Sequence, residues 1–166
     1  MFLRRTRSSV CVKVDVRPLT VDDLDAVDEI ERLSMPAPWS RAMFAGELAK
    51  PSSICLGAHD PGDRRLAGYV IVSRYVDAWH VMNLVVAEPD RRRGVATRLL
   101  EEVFAQTRDQ GRRGFTLEVR VSNDGAVRLY ERLGFRAQGV RRGYYTDNRE
   151  DALIMWRDSD DEHPAT

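Results

Sequence analysis

Val12, Val14 and Val16 alternate with Lys13, Asp15 and Arg17, a period-two pattern that predicts a half-buried strand over 12–17 ended by Pro18. Thr20 can then cap a helix over 21–32. Asp22 and Asp23 fall in its first turn, where the helix dipole favours acids, and Leu24, Val27 and Ile30 form its inner stripe. Pro36 and Pro38 interrupt the chain, and Ser40 can cap a second helix through Leu48, closed by Pro51. Strands follow over 53–58, 66–76 and 78–86, the first two separated by the turn Asp60-Pro61-Gly62-Asp63. A long helix reaching Gln110 carries Val95, Leu99 and Val103 on one row and Ala96, Leu100 and Phe104 on the next. That stripe is wide enough to pack on a sheet, and Gly111 ends it. The rest reads as a strand over 115–121, a short helix capped by Asn123 or Asp124 and stopped by Gly134, and strands over 135–140 and 152–156. Hairpin-style strands come first and strand–helix alternations second. The prediction is an α/β (α+β) chain: a mixed central sheet of about six or seven strands flanked by about four helices on both faces.

Composition narrows this further. At 166 residues the chain is long enough for one domain with a real core, placed here at 11–157. Arg4, Arg5 and Arg7 crowd an extension over 1–10, and Asp158, Asp160, Asp161 and Glu162 crowd a tail over 158–166. Both read as solvated, frayed ends. With 26 basic and 26 acidic residues the formal net charge is zero, which excludes a global field steering the chain to nucleic acid or to a membrane surface. No window approaches the ~20 apolar residues of a membrane span. Cys11 and Cys55 lack CxxC spacing and read as reduced thiols of a cytoplasmic protein. His59, His80 and His163 show no metal-ligand spacing, so no metal is expected.

Arg91-Arg92-Arg93-Gly94-Val95-Ala96 is the most informative stretch for chemistry. It joins a strand to a helix, where free backbone N–H groups and the helix dipole make an anion site. An exposed basic turn explains the pattern equally well. The Gly-Lys-Ser/Thr ending of a Walker loop and the full GxGxxG of a dinucleotide loop are both absent.

The residues around that loop carry a resemblance. Arg91-x-x-Gly94-x-Ala96 resembles the Q/R-x-x-G-x-G/A signature of the GCN5-related N-acetyltransferase (GNAT) superfamily, and Leu129-Tyr130-Glu131-Arg132-Leu133-Gly134-Phe135 resembles its LYExLGF segment. The likeness runs from about Val14 to Trp156. Leu117-Glu118-Val119-Arg120-Val121-Ser122-Asn123 is similar to the LEVRxSN of bacterial ribosomal-protein alanine N-acetyltransferases (RimI type). Pro38-Trp39-Ser40, Arg142-Gly143-Tyr144-Tyr145 and the 149–155 segment are similar to the same branch. Ala96 stands where the signature more often ends in glycine. The resemblance implies the GNAT fold, with acetyl-CoA as co-substrate. It implies that the backbone of Leu84, Val85 and Val86 pairs with the pantetheine arm. The loop Arg91, Arg92, Arg93, Gly94, Val95, Ala96 and Thr97 then holds the pyrophosphate, and Asn123 helps bind the cofactor while capping the next helix.

It also implies a reaction and an acceptor: acetylation of a protein N-terminus, foremost the N-terminal alanine of the eighteenth small-subunit ribosomal protein, by a monomer or weak dimer. Glu118 is the expected general base, with burial expected to raise its pKa toward a useful range. Its plain alternative is a sheet glutamate paired with Arg120 or another arginine nearby. Tyr130 is the expected general acid, and its alternative is a core aromatic. A backbone N–H near Val86 is the expected oxyanion donor. Trp39, Tyr144, Tyr145 and Glu150 are the expected acceptor-binding residues, with Glu150 and Asp151 either meeting a basic peptide or lying solvated in their loop. Two rivals stay open: an acetyltransferase for lysine or small amines, and a non-catalytic acyl-CoA-binding module.

Overall fold

The computed structural model describes residues 13–159. The expected extension over 1–10, Cys11, Val12 and the tail from Asp160 lie outside the described residues. Seven strands form one sheet in the order β1-β2-β3-β4-β5-β7-β6. They are β1 (Asp15–Pro18), β2 (Ser53–His59), β3 (Leu66–Tyr75), β4 (Ala78–Val86), β5 (Gly114–Arg120), β6 (Arg136–Arg141) and β7 (Ala152–Asp158). Four α-helices accompany them: α1 (Leu24–Ser34), α2 (Arg41–Leu48), α3 (Val95–Thr107) and α4 (Asp124–Arg132). The expected mixed sheet with four helices is therefore present.

Two apolar cores divide the helices between the faces. Val95, Leu99, Leu100 and Val103 of α3 and Tyr130 of α4 pack with Val70, Val72, Trp79, Val81, Leu117 and Val119. Leu24 and Val27 of α1 and Phe44 of α2 pack on the other face with Tyr69, Ile71 and Val85. Alternation along β3 sends neighbouring residues into different cores, the period-two rule of a strand buried on both sides.

Element ends differ from expectation by a few residues, each for a local reason. The first helix opens as a 3-10 turn over Val21–Asp23, because Asp23 turns its carboxylate back onto the Thr20 backbone N–H at 2.8 Å. The long helix stops at Thr107 rather than Gln110. The Thr107 hydroxyl bonds back to Val103 O at 2.9 Å, and Gly111 follows with φ of 64°. Asp158, assigned to the tail by its charge, closes β7, where its carboxylate accepts the Trp156 indole N–H at 2.8 Å.

Two irregularities shape the centre. Val81 pairs with Val72 and Asn83 with Ile71, so Met82 is an extra residue, a bulge in β4. Before it Trp79 and Val81 face the α3 core; after it Leu84 and Val86 do, and Val85 faces α1 and α2. β4 and β5 are the one parallel pair in the sheet and are registered only at Trp79–Phe115 and His80–Thr116. Beyond those pairs the strands part. The wedge between them opens toward Val86 on one strand and Arg120 on the other.

Candidate active site

Backbone amides come first, because they need no side chain. Ala87 N–H donates to Ala67 O on β3 at 2.8 Å. Amides alternate along a strand, so the Val86 N–H points away from β3, into the wedge. Past the strand, Gly94 adopts φ of 85° and caps α3 without a side chain. A residue with a Cβ is strained at that angle, so glycine lets the loop turn tightly into the helix. The first i to i−4 bond of α3 is Arg98 N–H to Gly94 O, which leaves the amides of Val95, Ala96 and Thr97 free at the positive end of a helix of 13 residues.

These groups open onto a cavity of about 600 Å³. Leu84 and Val86 form one wall. Arg91, Arg92, Gly94, Val95, Ala96 and Thr97 form the floor, and Asn123, Ala126, Leu129 and Tyr130 close it from the α4 side. Arg128 and Arg132 of α4 line it too, cations that the reading of the loop missed although their i, i+4 spacing puts both on one helix face. Arg92, Arg128 and Arg132 have no carboxylate partner among the described residues. Asp90 also lines the cavity, but its carboxylate is matched by Arg65 at 2.7 and 3.1 Å and by Arg93 at 3.6 Å. A polyphosphate with an apolar arm fits this set of donors, with phosphates at the α3 terminus and the arm along Leu84 and Val86.

The Val85 side chain points into the α1–α2 core, which leaves its expected backbone role untouched. Two loop residues serve differently from expectation. Arg93 leans on Asp90 and does not line the cavity. Arg91 lines it, but its guanidinium is committed: Nε donates to Val86 O at 3.0 Å and Nη2 to Ser34 Oγ at 3.1 Å. Arg91 therefore clamps the end of β4 to the last turn of α1.

Tyr130 is 8% exposed and lines the cavity, and its hydroxyl has no partner among the described residues. Burial raises its pKa well above the ordinary phenol value, so it keeps its proton at neutral pH. Asn123 accepts the Ala126 N–H at 3.2 Å and so caps α4 while lining the cavity.

Glu118 lies on the opposite face of β5 from Leu117 and Val119, toward the side of α1 and α2. Its partner was invisible in the sequence. His80 Nε2–H donates to Glu118 Oε2 at 2.6 Å, from the last paired position before the wedge opens. Arg141 of β6 reaches across β7 to Glu118 Oε1 at 3.5 Å. The expected rise in the Glu118 pKa is a fall. The hydrogen bond from His80 is the main cause, the charges of His80 and Arg141 add to it, and burial opposes without prevailing. Arg120, the partner considered for Glu118, instead bonds Asp147 at 3.0 Å and Glu150 at 3.3 Å.

The expected acceptor residues flank this face. Trp39 stands in the α1–α2 loop with its ring 5.2 Å from that of Phe44. Tyr144 and Tyr145 meet edge to face at 5.1 Å between β6 and β7. Arg120 lies 3.9 Å over the Tyr145 ring, while burial pushes that phenol up to about 12. Glu150 takes the Ser122 N–H at 2.9 Å, and hydrogen bonds from Ser122 pull its carboxyl down to about 2. Glu150 thus ties the β6–β7 loop to the end of β5.

The site is thus a cation-lined cavity on one face of a parted sheet, meeting through the wedge a carboxylate–imidazole pair on the other. That is the frame of an acyl-transfer enzyme with a phosphate-bearing donor. The acetyltransferase (GNAT) family matches residues 24–135, and the chain belongs to it as an N-acetyltransferase. It is similar to the ribosomal protein bS18 alanine N-acetyltransferase of Escherichia coli, 34% identical over 142 residues, 84% of this chain and 94% of that one. It is likewise similar to the N-alpha-acetyltransferase RimI of Mycobacterium tuberculosis, 35% identical over 159 residues, 89% of this chain and 97% of that one. The crystal structure of the Escherichia coli ribosomal-protein-S18-alanine N-acetyltransferase superposes with a TM-score of 0.80 at 31% identity, covering 93% of this chain and 99% of that one.

Proposed function

We propose that the protein transfers the acetyl group of acetyl-CoA to the α-amine of a protein N-terminus, foremost the N-terminal alanine of ribosomal protein bS18. One observation carries this reading: the cavity and the Glu118–His80 pair lie on opposite faces of the sheet and open on the same wedge. A donor reaching through from the α3–α4 side meets an acceptor arriving from the α1–α2 side. The names of the relatives supply the acceptor.

Acetyl-CoA supplies the thioester. Its phosphates rest on the α3 amides with Arg92, Arg128 and Arg132, and its arm lies along Leu84 and Val86. The acceptor amine arrives largely as an ammonium, since a free α-amine has a pKa of about 7.7–8.0. Glu118, kept a carboxylate at neutral pH, attracts it directly or through one water and takes its proton. His80, whose Nε2–H donates to Glu118, holds the carboxylate in line, and Glu118 passes the proton on to water once the product leaves. The amine nitrogen bonds to the carbonyl carbon, and the oxygen that gains charge meets the Val86 N–H. A single such donor is worth roughly 2.7–4 kcal/mol in other enzymes. As the carbon–sulfur bond breaks, Tyr130 gives its hydroxyl proton to the departing sulfur, and the second proton that the nitrogen sheds returns through water to restore the phenol.

Mass spectrometry of ribosomal proteins incubated with enzyme and acetyl-CoA tests the reading. A gain of one acetyl group on an N-terminal alanine is expected. Faster acetylation of a lysine-bearing peptide blocked at its α-amine would overturn it in favour of a side-chain acetyltransferase. Acetyl-CoA binding with no thiol release for any amine would leave only a binding module.

A further inference from the structure

Glu31 is 0% exposed, the most deeply buried carboxylate in the described chain, and the reaction above does not use it. It sits in the last turns of α1, against β3 and β4. Its Oε1 accepts the Trp39 backbone N–H at 3.0 Å, and Asn83 Nδ2 donates to both of its oxygens at 3.2 Å. The Tyr69 hydroxyl completes the shell on Oε2. Every one of these partners is a donor. Two strands and one loop therefore converge on a single acceptor group, a role that suits a carboxylate with its several lone-pair positions.

What the partners are matters more than their number. Asn83 is the first residue after the Met82 bulge, where β4 turns its amides into the wedge. Trp39 lies in the loop over 35–40, and Pro36 and Pro38 leave that loop few backbone donors of its own. The Trp39 ring packs on Phe44, whose ring meets Tyr69 edge to face at 5.5 Å. The loop is thus held twice by the same group of residues, by its backbone through Glu31 and by its ring through Phe44. Three residues on, Ser34 takes the hydrogen bond from Arg91 of the cofactor loop. One end of α1 therefore carries a fastening to each half of the site.

We propose that Glu31 is the positioning residue of the acceptor groove. It suspends the 35–40 loop from β3 and β4 and so fixes where Trp39 stands relative to the wedge. The proposal rests on the reading that this loop borders the acceptor. Glutamine is close to isosteric at position 31, yet its amide would set a donor against donors. Asn83 Nδ2 or Trp39 N–H would lose its acceptor, and the loop would drift while the cofactor side stayed whole.

The test is a split of Michaelis constants in the full-length enzyme, with a peptide beginning with alanine as acceptor. Glu31→Gln is expected to raise the peptide KM about tenfold, a size consistent with a small misplacement of a positioning group, and to leave the acetyl-CoA KM within twofold. Ser34→Ala is expected to do the reverse, raising the acetyl-CoA KM alone. Leu56→Ala, a cavity under β2 in the other core and away from both fastenings, is expected to lower Tm and leave both constants unchanged. Tyr69→Phe removes one donor without removing the charge, and serves if Glu31→Gln does not fold. Its expected effect on the peptide KM is smaller, in the same direction. Amide hydrogen exchange at Trp39 should quicken in Glu31→Gln, and that readout needs no turnover. An active Glu31→Gln with an unchanged peptide KM overturns the positioning role alone, as does an equal rise in both constants. A wild-type enzyme that acetylates no peptide overturns the functional reading and the positioning role with it.

Discussion

On the α3–α4 side of the sheet, Arg92, Arg128 and Arg132 face a cavity without carboxylate partners among the described residues, and Asp90, the acid that lines it, is occupied by Arg65 and Arg93. On the α1–α2 side, Glu118 is paired with His80 and Arg141, and Glu150 and Asp147 with Arg120. Surplus charge attracts a ligand from a distance and is weakened by salt. Paired charge attracts little, but it holds groups in place and sets their protonation. The donor side is built for capture and the acceptor side for geometry. Substitutions on the two sides should therefore fail differently: one in the KM for acetyl-CoA, the other in turnover or in the KM for the peptide.

The strongest break falls on the acceptor side. Glu118→Gln should lower kcat/KM by about 10²–10⁴-fold, the usual span for a proton-transfer group, and acetyl-CoA binding measured by calorimetry should be unaltered. A near-normal rate would remove Glu118 from the chemistry and leave it a strut for His80. Tyr130→Phe stands between the two sides. It should cut kcat about 10²-fold at saturating acetyl-CoA, because the departing sulfur loses its proton donor while the ring still packs on Phe135 at 5.5 Å. Full turnover would return Tyr130 to the core.

A milder break falls on the donor side. Replacing Arg128 and Arg132 together by alanine should raise the acetyl-CoA KM by about three- to tenfold, roughly 0.3–0.7 kcal/mol for each exposed cation. The rise should shrink in high salt, and the peptide KM should hold steady. A salt-independent loss would mean that the two side chains act through packing.

The smallest effect concerns stability at low pH. Glu150 is held down to about 2 from an ordinary 4.5. Its depressed pKa means that its contribution is fully present above the unfolded value and lost as pH falls through the folded one. The Tm gap between wild type and Glu150→Gln should be constant above pH 4.5 and close as pH falls toward 2. A gap that persists at the acid end would assign the effect to the neutral hydrogen bond with Ser122 rather than to charge.

The donor side was largely legible along the chain. Its loop, its glycine and the helix that follows are contiguous, and local rules govern them: Gly94 must turn with positive φ, and a helix must begin with free amides. Where that reading failed, tertiary contacts had redirected side chains. Arg91 spends its donors on Val86 and Ser34, and Arg93 spends its own on Asp90. The acceptor side draws on distant segments: His80 and Glu118 are 38 residues apart, and Glu31 and Asn83 are 52 apart. Nothing in the neighbourhood of Glu118 announces an imidazole, and the direction of its pKa was misjudged for that reason. Met82 reads as an ordinary strand residue, since a bulge is defined by the partner strand that it fails to match.

The sequence by itself determined the strands and helices, the loop proposed to hold the phosphates and the two residues, Glu118 and Tyr130, proposed to move protons. Periodicity, caps and turn residues act over a few positions and leave their mark in the order of the chain. Tertiary structure alone decided that β4 and β5 part after His80, that the cavity and the carboxylate share that gap, and that His80 with Arg141 lowers rather than raises the pKa of Glu118. Those outcomes depend on which distant side chains meet in space, and electrostatic interactions follow distance through the folded molecule, not separation along the chain.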